Sequence, residues 1–384
     1  MGNFDFNNII AEINLIASRF AALGIRVFTI YKGLEPLIDR APYGPCSEHA
    51  DALKWLENRT GAFVNQTCIE YQDRERCWYT YVSERAVSRR NNVPLIVDLH
   101  GAGGCASLPS LGSGTIVDTA GLVVAWPQGI KKPLPYVPWI IPELILDVLG
   151  LSVTSWNDGT GLFGAELAGV DDVGFLEIMI AEILARSNPD YGVNIARARI
   201  YMIGHSNGAT MAQRFALQSE PGVLAGVVAI SGSGMPQDPM WVPGGEVSDN
   251  YRSTSIALVA GSKDKVVPFG ERRGPLAGAM ASFDGWARLN DCEDDSRFIY
   301  DFEYYRKYIY TDCRDGNEVV LYEVKGQGHH PFKKGIEAFQ IASLNTIPEC
   351  PFRGIPTFSE CDCALSTKVD STAMAWEFIV QFAS

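Results

Sequence analysis

The chain has 384 residues, of which 47% are hydrophobic, and its formal net charge is −13 at pH 7. This length and apolar content suffice for one large core, although length alone also allows two domains. The acidic balance argues against nucleic acid or an anionic membrane surface as a partner.

The cysteines favour an oxidising compartment. Nine cysteines are many for a cytosolic enzyme, and two N-x-S/T sequons begin at Asn58 and Asn65. No spacing fits a metal site, since Cys361 and Cys363 lack the two-residue spacer of a zinc pair. We therefore expect a secreted, extracellular protein without a metal, although charges interrupt the apolar residues over 9–30 and leave no clean signal-peptide core.

The N-terminal part differs in pattern from the rest of the chain. Apolar residues over 4–23 fit one helical face, and residues 33–65 are irregular and rich in turn formers. The first strand is predicted over residues 78–82. We predict that residues 1–75 are a helix and extension packed on a catalytic domain over residues 76–384.

Within the catalytic domain, short β-branched runs alternate with helical patterns. Helices are predicted to end near residue 185 and to span 209–218, and Asp171 or Asp172 is placed to cap the first of them. This alternation predicts an α/β fold with a mostly parallel central sheet, helices on both faces and polar chemistry at the strand C-termini. The predicted strands cover residues 78–82, 93–99, 122–125, 200–203, 226–230, 255–260 and 319–324.

A glycine-rich segment at residues 100–104 follows the predicted strand over 93–99. Glycines let backbone amides point at a substrate, so this loop is a candidate for one half of an oxyanion hole. We assign the donor to the amide of Ala102, with Gly103 as the near alternative. A phosphate-binding loop is the competing interpretation, but the residues of a Walker or dinucleotide fingerprint are missing.

Residues 131–155 form an unusual proline-rich and apolar insertion. Glu143 and Asp147 break its apolar run, so no membrane span is predicted. The insertion is either a lid or cleft wall over the site or a plain surface insertion. Trp156 follows it and is a candidate substrate contact, with a buried core position as the alternative.

The sequence G-H-S-N-G at residues 204–208 fits G-x-S-x-G between a predicted strand and a predicted helix. Its glycines permit a tight turn that holds the hydroxyl of Ser206 out at the end of the sheet. The amide of Asn207, at the helix N-terminus, then faces a developing oxyanion. The alternative is a helix-capping serine beside glycines that occur by chance.

Elimination narrows the choice of a general base. Of five histidines, only His329 and His330 follow the last predicted strand, and His329 comes directly after a glycine. Asp264 follows a strand and lies between Ser206 and His329 in the chain, the order in which such hydrolases carry serine, acid and histidine. Otherwise Asp264 shapes its own turn and His329 is a surface residue.

Taken together, these motifs resemble the polyhydroxybutyrate depolymerase and feruloyl or acetylxylan esterase group of α/β-hydrolases. The resemblance runs from about residue 76 to the C-terminus. It implies a triad of Ser206, Asp264 and His329, a disulfide between Cys292 and Cys313, and secretion. The motifs are L-H-G at 99–101, W-P-Q-G at 126–129, W-N at 156–157, V-D-D-V-G-F at 170–175, G-H-S-N-G at 204–208, Asp264 with V-P at 267–268, G-Q-G-H at 326–329 and W-E-F at 376–378.

The chain departs from that group in several places. Alanine follows Gly208 where a second glycine is usual, and the insertions over 131–155 and 331–367 look extra. His330 stands in a loop where the group has a tryptophan soon after the histidine, so we treat His330 as a candidate substrate contact. Substrate choice can therefore differ from that of the group.

The sequence thus predicts a serine carboxylic ester hydrolase that forms an acyl-enzyme and needs no cofactor. Its expected partner is an ester, either a polyester such as polyhydroxyalkanoate or an aryl or acetyl ester of a plant polysaccharide. A serine peptidase or amidase and an inactive module that binds polysaccharide or polyester are the alternatives. Neither nucleic acid nor stable membrane insertion is expected, and the oligomeric state stays open.

Overall fold

The computed structural model describes residues 63–104, 106, 120–133, 152–329 and 368–382. Four predictions lie outside these described residues: the N-terminal helix over 4–23, the centre of the insertion at 134–151, the stretch over 331–367, and His330. None of the described helices is long and apolar enough to cross a membrane.

One ten-stranded sheet organises the described chain, with the spatial strand order β1-β2-β4-β3-β7-β8-β9-β12-β11-β10. The central strands β4, β3, β7, β8, β9 and β12 pair in parallel, and antiparallel pairs extend the sheet at both ends. The strands are β1 (Phe63–Tyr71), β2 (Arg74–Val82), β3 (Val93–Leu99), β4 (Val123–Pro127), β5 (Ile130–Pro133), β6 (Ser152–Ser155), β7 (Ile195–His205), β8 (Gly226–Ile230), β9 (Ser255–Gly261), β10 (Arg297–Asp301), β11 (Tyr305–Tyr310) and β12 (Val319–Val324).

Helices pack on both faces of this sheet. Along β3, Leu95 and Val97 join an apolar cluster with α3, α4 and α5, whereas Ile96 joins a second cluster with α6 on the opposite face. Because both faces are buried, the central strands are apolar throughout rather than alternating. The predicted α/β-hydrolase architecture is confirmed. The helices are α1 (Glu84–Arg89), α2 (Gly164–Leu167), α3 (Asp172–Arg186), α4 (Asn207–Gln218), α5 (Ala279–Leu289) and α6 (Ser371–Gln381).

The sheet begins before the predicted catalytic domain. β1 pairs with β2 along its whole length, and a disulfide joins the opposed residues Cys68 and Cys77. The boundary predicted between residues 75 and 76 therefore falls inside β2, and part of the predicted extension belongs to the sheet.

The described ends of the insertion pair with each other. β5 and β6 form a separate two-stranded antiparallel sheet, in which Ile130 lies opposite Ser155. The two described ends of the insertion, Pro133 and Ser152, therefore lie opposite each other.

Candidate active site

Three polar residues follow three parallel strands of the central sheet. Ser206 comes directly after β7, Asp264 stands three residues after β9, and His329 lies in the loop after β12. Because β7, β8, β9 and β12 are parallel neighbours, their C-terminal ends meet at one edge of the sheet. Residues far apart in the chain therefore converge there.

Ser206 occupies a strained turn between β7 and α4. Its φ is 55° and its ψ is −122°, a conformation that costs energy for a residue with a side chain. Close backbone approaches hold the turn: a Cβ on Gly204 would lie 2.3 Å from the carbonyl oxygen of Gly208, and one on Gly208 would lie 2.4 Å from that of His100. Only glycine fits at these two positions, as the sequence pattern predicted.

A chain of hydrogen bonds runs from Ser206 to Asp264. The Oγ of Ser206 lies 2.8 Å from Nε2 of His329, and Nδ1 of His329 lies 2.8 Å from Oδ2 of Asp264. The other oxygen of Asp264 accepts from the amides of Val266 at 2.8 Å and Val267 at 2.9 Å. With Nδ1–H donating to the carboxylate, Nε2 is left as the acceptor for the serine hydroxyl.

This chain is shielded from water. His329 is 5% exposed and Asp264 is 8% exposed. A carboxylate that accepts two amides and an imidazole N–H is fully engaged, which fixes the orientation of the ring. The arrangement can take a proton from Ser206 and stabilise the imidazolium that results.

Two backbone amides are candidates for stabilising negative charge: that of Asn207, directly after Ser206, and that of Ala102, next to Gly101, where a Cβ would lie 3.3 Å from the Cβ of Ser206. Within the described residues, the amides of Asn207 and Ala102 have no hydrogen-bond partner, and Asn207 opens α4, where the helix dipole is positive. The amide of Gly103 donates to the carbonyl of Thr154 at 2.8 Å, so this alternative donor is already engaged.

The side chain of Asn207 makes a second network that the sequence analysis missed. Its Oδ1 accepts from the amide of Trp156 at 2.7 Å, and its Nδ2 donates to Oδ2 of Asp158 at 2.6 Å. The other oxygen of Asp158 accepts from the amide of Thr160 at 3.0 Å and from its hydroxyl at 2.6 Å. The acid directly follows the W-N motif at 156–157, which is the only signal in the sequence.

Burial shifts the pKa of two groups around this site. Desolvation raises the pKa of Asp158 to about 6, against the hydrogen bonds from Thr160 and Asn207, which lower it. Desolvation lowers the pKa of His100 to about 4, so this imidazole is neutral at pH 7. Its Nδ1–H donates to the carbonyl of Gly101 at 2.8 Å and its Nε2 accepts from the amide of Gly129 at 3.0 Å.

Trp156 is buried in the core, which is the alternative that the sequence analysis left open for it. Its side chain is 0% exposed and its ring lies 4.9 Å from that of His100. The indole N–H donates to the carbonyl of His100 at 2.9 Å, so the residue braces the loop that carries Ala102. A large aromatic beside a site has the same sequence signature whether it lines the cleft or packs beneath it.

A buried ion pair anchors the segment that contains Trp156. Nη2 of Arg76 lies 2.5 Å from Oδ1 of Asp172, and the other oxygen of Asp172 accepts from the amide of Asn157 at 2.7 Å. Asp171 is the residue that caps α3, through a bond from the amide of Gly174 at 2.9 Å. Asp171, and not Asp172, therefore caps α3, because the carboxylate of Asp172 faces inward and pairs with Arg76.

Two disulfides are present in the described chain. One joins Cys292 to Cys313, the pair implied by the resemblance, and the other joins Cys68 to Cys77. Within the described ranges, Cys68, Glu75 and Cys77 are the only cluster of potential metal ligands. Both sulfurs of that cluster are in the disulfide, so they are not free thiolates.

Comparison with known proteins gives structural likenesses only. No family model and no curated protein matches the sequence. Solved structures do match. LpqC, a poly(3-hydroxybutyrate) depolymerase from Bordetella parapertussis, is 16% identical over 73% of this chain and 89% of its own, with a TM-score of 0.42.

Two further solved structures show the same level of likeness. An S-formylglutathione hydrolase from Agrobacterium tumefaciens is 14% identical over 74% of this chain and 92% of its own, with a TM-score of 0.40. A ferulic acid esterase from Anaeromyces mucronatus is 12% identical over 70% of this chain and 84% of its own, with a TM-score of 0.40. At these scores the likenesses carry no argument about activity, which has to come from the site itself.

Proposed function

We propose that this protein is a serine carboxylic ester hydrolase with Ser206 as its nucleophile, His329 as its general base and Asp264 as the acid that orients His329. The observation that carries the proposal is the unbroken hydrogen-bonded chain from the Oγ of Ser206 to Asp264, which starts at a strained turn between β7 and α4. An ordinary helix-capping serine needs neither the strain nor the imidazole.

The first half of the reaction forms an acyl-enzyme. The Oγ of Ser206 attacks the ester carbonyl carbon while Nε2 of His329 takes the hydroxyl proton. Asp264 keeps Nδ1 protonated and stabilises the imidazolium without accepting the proton itself. His329 then gives that proton to the departing alcohol as the ester C–O bond breaks.

The amides of Asn207 and Ala102 stabilise the negative oxygen of the tetrahedral intermediate. Removing one such donor from a hydrolase costs about 10²–10³ in kcat, so this pair accounts for a large share of the rate enhancement. In the second half of the reaction His329 takes a proton from a water molecule that attacks the acyl carbon. The bond between the acyl carbon and Oγ of Ser206 then breaks, His329 returns the proton to Oγ, and the acid leaves. No step calls for a metal or an organic cofactor.

The proposed substrate is a polyester such as polyhydroxyalkanoate, or an aryl or acetyl ester of a plant polysaccharide. This choice rests on the ordered motifs from residue 99 to residue 378 that resemble the depolymerase and feruloyl or acetylxylan esterase group. The two disulfides favour an oxidising compartment, which agrees with the proposal of an extracellular enzyme acting on a polymer.

The insertion over residues 131–155 is proposed to border the cleft. Its second strand, β6, contains Thr154, whose carbonyl accepts from the amide of Gly103 in the proposed oxyanion loop. The described ends of the insertion therefore lie directly beside the proposed reaction centre, which favours a cleft wall over a remote surface segment.

The test is hydrolysis of p-nitrophenyl acetate, butyrate and octanoate by the wild type and by Ser206→Ala. We expect turnover by the wild type and a loss on the order of a thousandfold or more in the variant. Ser231→Ala is the matched control, because Ser231 is a buried serine that follows the neighbouring strand β8. Its hydroxyl is not in the chain from Ser206 to Asp264, so this control should retain its rate.

The same experiment separates the alternatives. Equal background rates from wild type and Ser206→Ala would remove Ser206 as nucleophile and favour the inactive binding module. Matched anilides, run beside the esters, identify a peptidase or amidase if the anilide is cleaved as fast as the ester. The trend from acetate to octanoate reports the size of the acyl pocket.

A further inference from the structure

The outer strand β10 leaves one edge of the central sheet exposed. Phe298, Ile299 and Tyr300 are 47%, 56% and 50% exposed, and β10 pairs only with β11 in the described sheet. A flat apolar edge strand presents unpaired amides and carbonyls and readily pairs with another strand, so proteins normally protect such edges. Here no proline stands within Arg297–Asp301, and the two charged residues, Arg297 and Asp301, are at the ends of the strand.

The adjoining turn determines which residues of β10 hydrogen-bond to β11 and which have backbone groups that face outward. The amide of Phe302 donates to the carbonyl of Tyr305 at 2.9 Å, so these two residues form a hydrogen-bonded pair. Bonded and non-bonded pairs alternate along an antiparallel ladder. Tyr300 and Phe298 therefore bond to β11, whereas the backbone groups of Arg297, Ile299 and Asp301 point away from the sheet.

We propose that β10 is the contact between two copies of this chain, which pair antiparallel about a two-fold axis at Ile299. This register places Ile299 opposite its own copy and Arg297 opposite Asp301. The outward backbone groups of all three residues then form bonded pairs, about six hydrogen bonds in all. Such isologous pairing turns two sheets into one and removes the exposed edge from both.

The side chains fit this register on both faces of the joined sheet. Each Arg297 stands opposite an Asp301, and each Phe298 stands opposite a Tyr300. Opposite charges and aromatic pairs are the favourable cross-strand combinations. Centring the axis on Arg297 or on Asp301 would place like charges opposite each other. Centring it on Phe298 or Tyr300 would pair only two of the three outward residues of β10 with each other and would leave no charge pair within the strand. Of these registers, only the one centred on Ile299 pairs Arg297 with Asp301 in the sequence R-F-I-Y-D.

The two charged residues already have partners in their own chain. Arg297 lies 3.6 Å from Asp284, and Asp301 lies 3.5 Å from Arg306 and 2.5 Å from Lys325. Swapping the charges of Arg297 and Asp301 would disturb these contacts, so it would not test the interface cleanly. Ile299 is exposed and central, which makes it the better position for a variant.

The experiment is sedimentation velocity of the full chain over a concentration series. The samples are wild type, Ile299→Lys, Ile299→Glu and an equimolar mixture of the two variants. We expect the wild type to dimerise and each variant alone to show a dissociation constant raised on the order of tenfold or more, because two like charges then meet at the axis. The mixture should recover the dimer, since Lys and Glu now stand opposite each other.

Val87→Lys is the matched control. Val87 is 43% exposed on α1, and α1 follows β2, which lies near the opposite end of the strand order from β10. It should dimerise as the wild type does. Circular dichroism of each variant checks that the fold is retained. A wild type that stays monomeric to its solubility limit overturns the proposal, as does a dimer that survives both Ile299→Lys and Ile299→Glu.

Amide exchange followed by NMR gives a second and independent test. On dimerisation the amides of Arg297, Ile299 and Asp301 should become protected, whereas those of Phe298 and Tyr300 should not change because they already bond to β11. Dimerisation without this alternating backbone pattern would place the contact elsewhere on the chain and would overturn the proposed pairing.

Discussion

Ser206 lies between two hydrogen-bonded networks that differ in what they can do. The first runs through His329 to Asp264 and reaches the serine hydroxyl itself. The second runs from the side chain of Asn207 to Asp158 and holds the residue whose backbone amide is the proposed oxyanion donor. In the proposed reaction the first network transfers a proton, whereas the second keeps the backbone amide of Asn207 in position. The proposed nucleophile therefore depends on acid–base chemistry in one network and on geometry in the other.

Asp264→Asn should have the largest effect, because it disables the proton-moving network. An amide cannot accept from the Val266 and Val267 amides through one oxygen and still hold the Nδ1–H tautomer of His329 with the other atom. We expect kcat for p-nitrophenyl acetate to fall about 10⁴-fold, which corresponds to about 5.5 kcal/mol of activation free energy. Steady-state kinetics of the wild type and the variant measure this change in kcat.

Asp284→Asn is the control for that variant. Its carboxylate makes a surface ion pair with Arg297 at 3.6 Å and is 38% exposed, so its loss should leave kcat unchanged. If Asp264→Asn keeps kcat within tenfold of the wild type, Asp264 only shapes its turn and another acid has to orient His329.

Asp158→Asn should affect stability more than chemistry. Burial raises the pKa of Asp158 from 3.8 to about 6, so its stabilising contribution is complete below about pH 4 and is lost as the pH rises through about 6. Asparagine does not titrate. Relative to wild type, the free energy of unfolding of the variant should therefore rise by about 2 kcal/mol from pH 4 to pH 7. Urea unfolding at each pH measures this difference.

The catalytic effect of Asp158→Asn should be far smaller than that of Asp264→Asn. The new amide can still accept from Nδ2 of Asn207, but its NH₂ group would face the donors of Thr160. We expect about a tenfold loss in kcat from a displaced amide of Asn207, since a full donor is worth about 10²–10³. A loss as large as that of Asp264→Asn would show that the second network also takes part in proton transfer.

Trp156→Phe should have the smallest effect. The variant removes the hydrogen bond to the carbonyl of His100 and leaves that oxygen without its partner, which we expect to lower the free energy of unfolding by about 1–2 kcal/mol. KM should not change, because the ring is fully buried and lies beneath the loop. Thermal unfolding and KM for a series of esters are the two measurements. A KM that rises with acyl length would return Trp156 to the cleft wall.

The central strands were predictable because each buried strand is a continuous apolar run in the sequence. β3, β8 and β12 have the predicted bounds, since an apolar run buried on both faces differs sharply from its flanking turns. The three polar strand ends were predictable for the same reason, because they follow those strands. The expected chain order of serine, acid and histidine then left few candidates for the acid and the base other than Asp264 and His329.

Features that depend on contacts between distant segments could not be predicted. The carboxylate of Asp158 accepts a hydrogen bond from the side-chain Nδ2 of Asn207, 49 residues further along the chain, and the sequence around Asp158 does not indicate that contact. The hairpin of β10 and β11 was missed because both strands mix charged and aromatic residues and because β10 buries little of either face. The sequence left Trp156 between the cleft wall and the core, because it does not tell on which side of a loop an indole lies.

The disulfide between Cys292 and Cys313 limits the effect of proteolytic cleavage in the loop that it closes. It closes a loop with a sequence separation of 21 that contains the exposed hairpin of β10 and β11. A single cut anywhere in that loop leaves the C-terminal fragment, with His329, covalently tied to the fragment that carries Ser206 and Asp264. The exposed strand β10 is thus also a place where the backbone can be cut without separating the residues of the proposed triad.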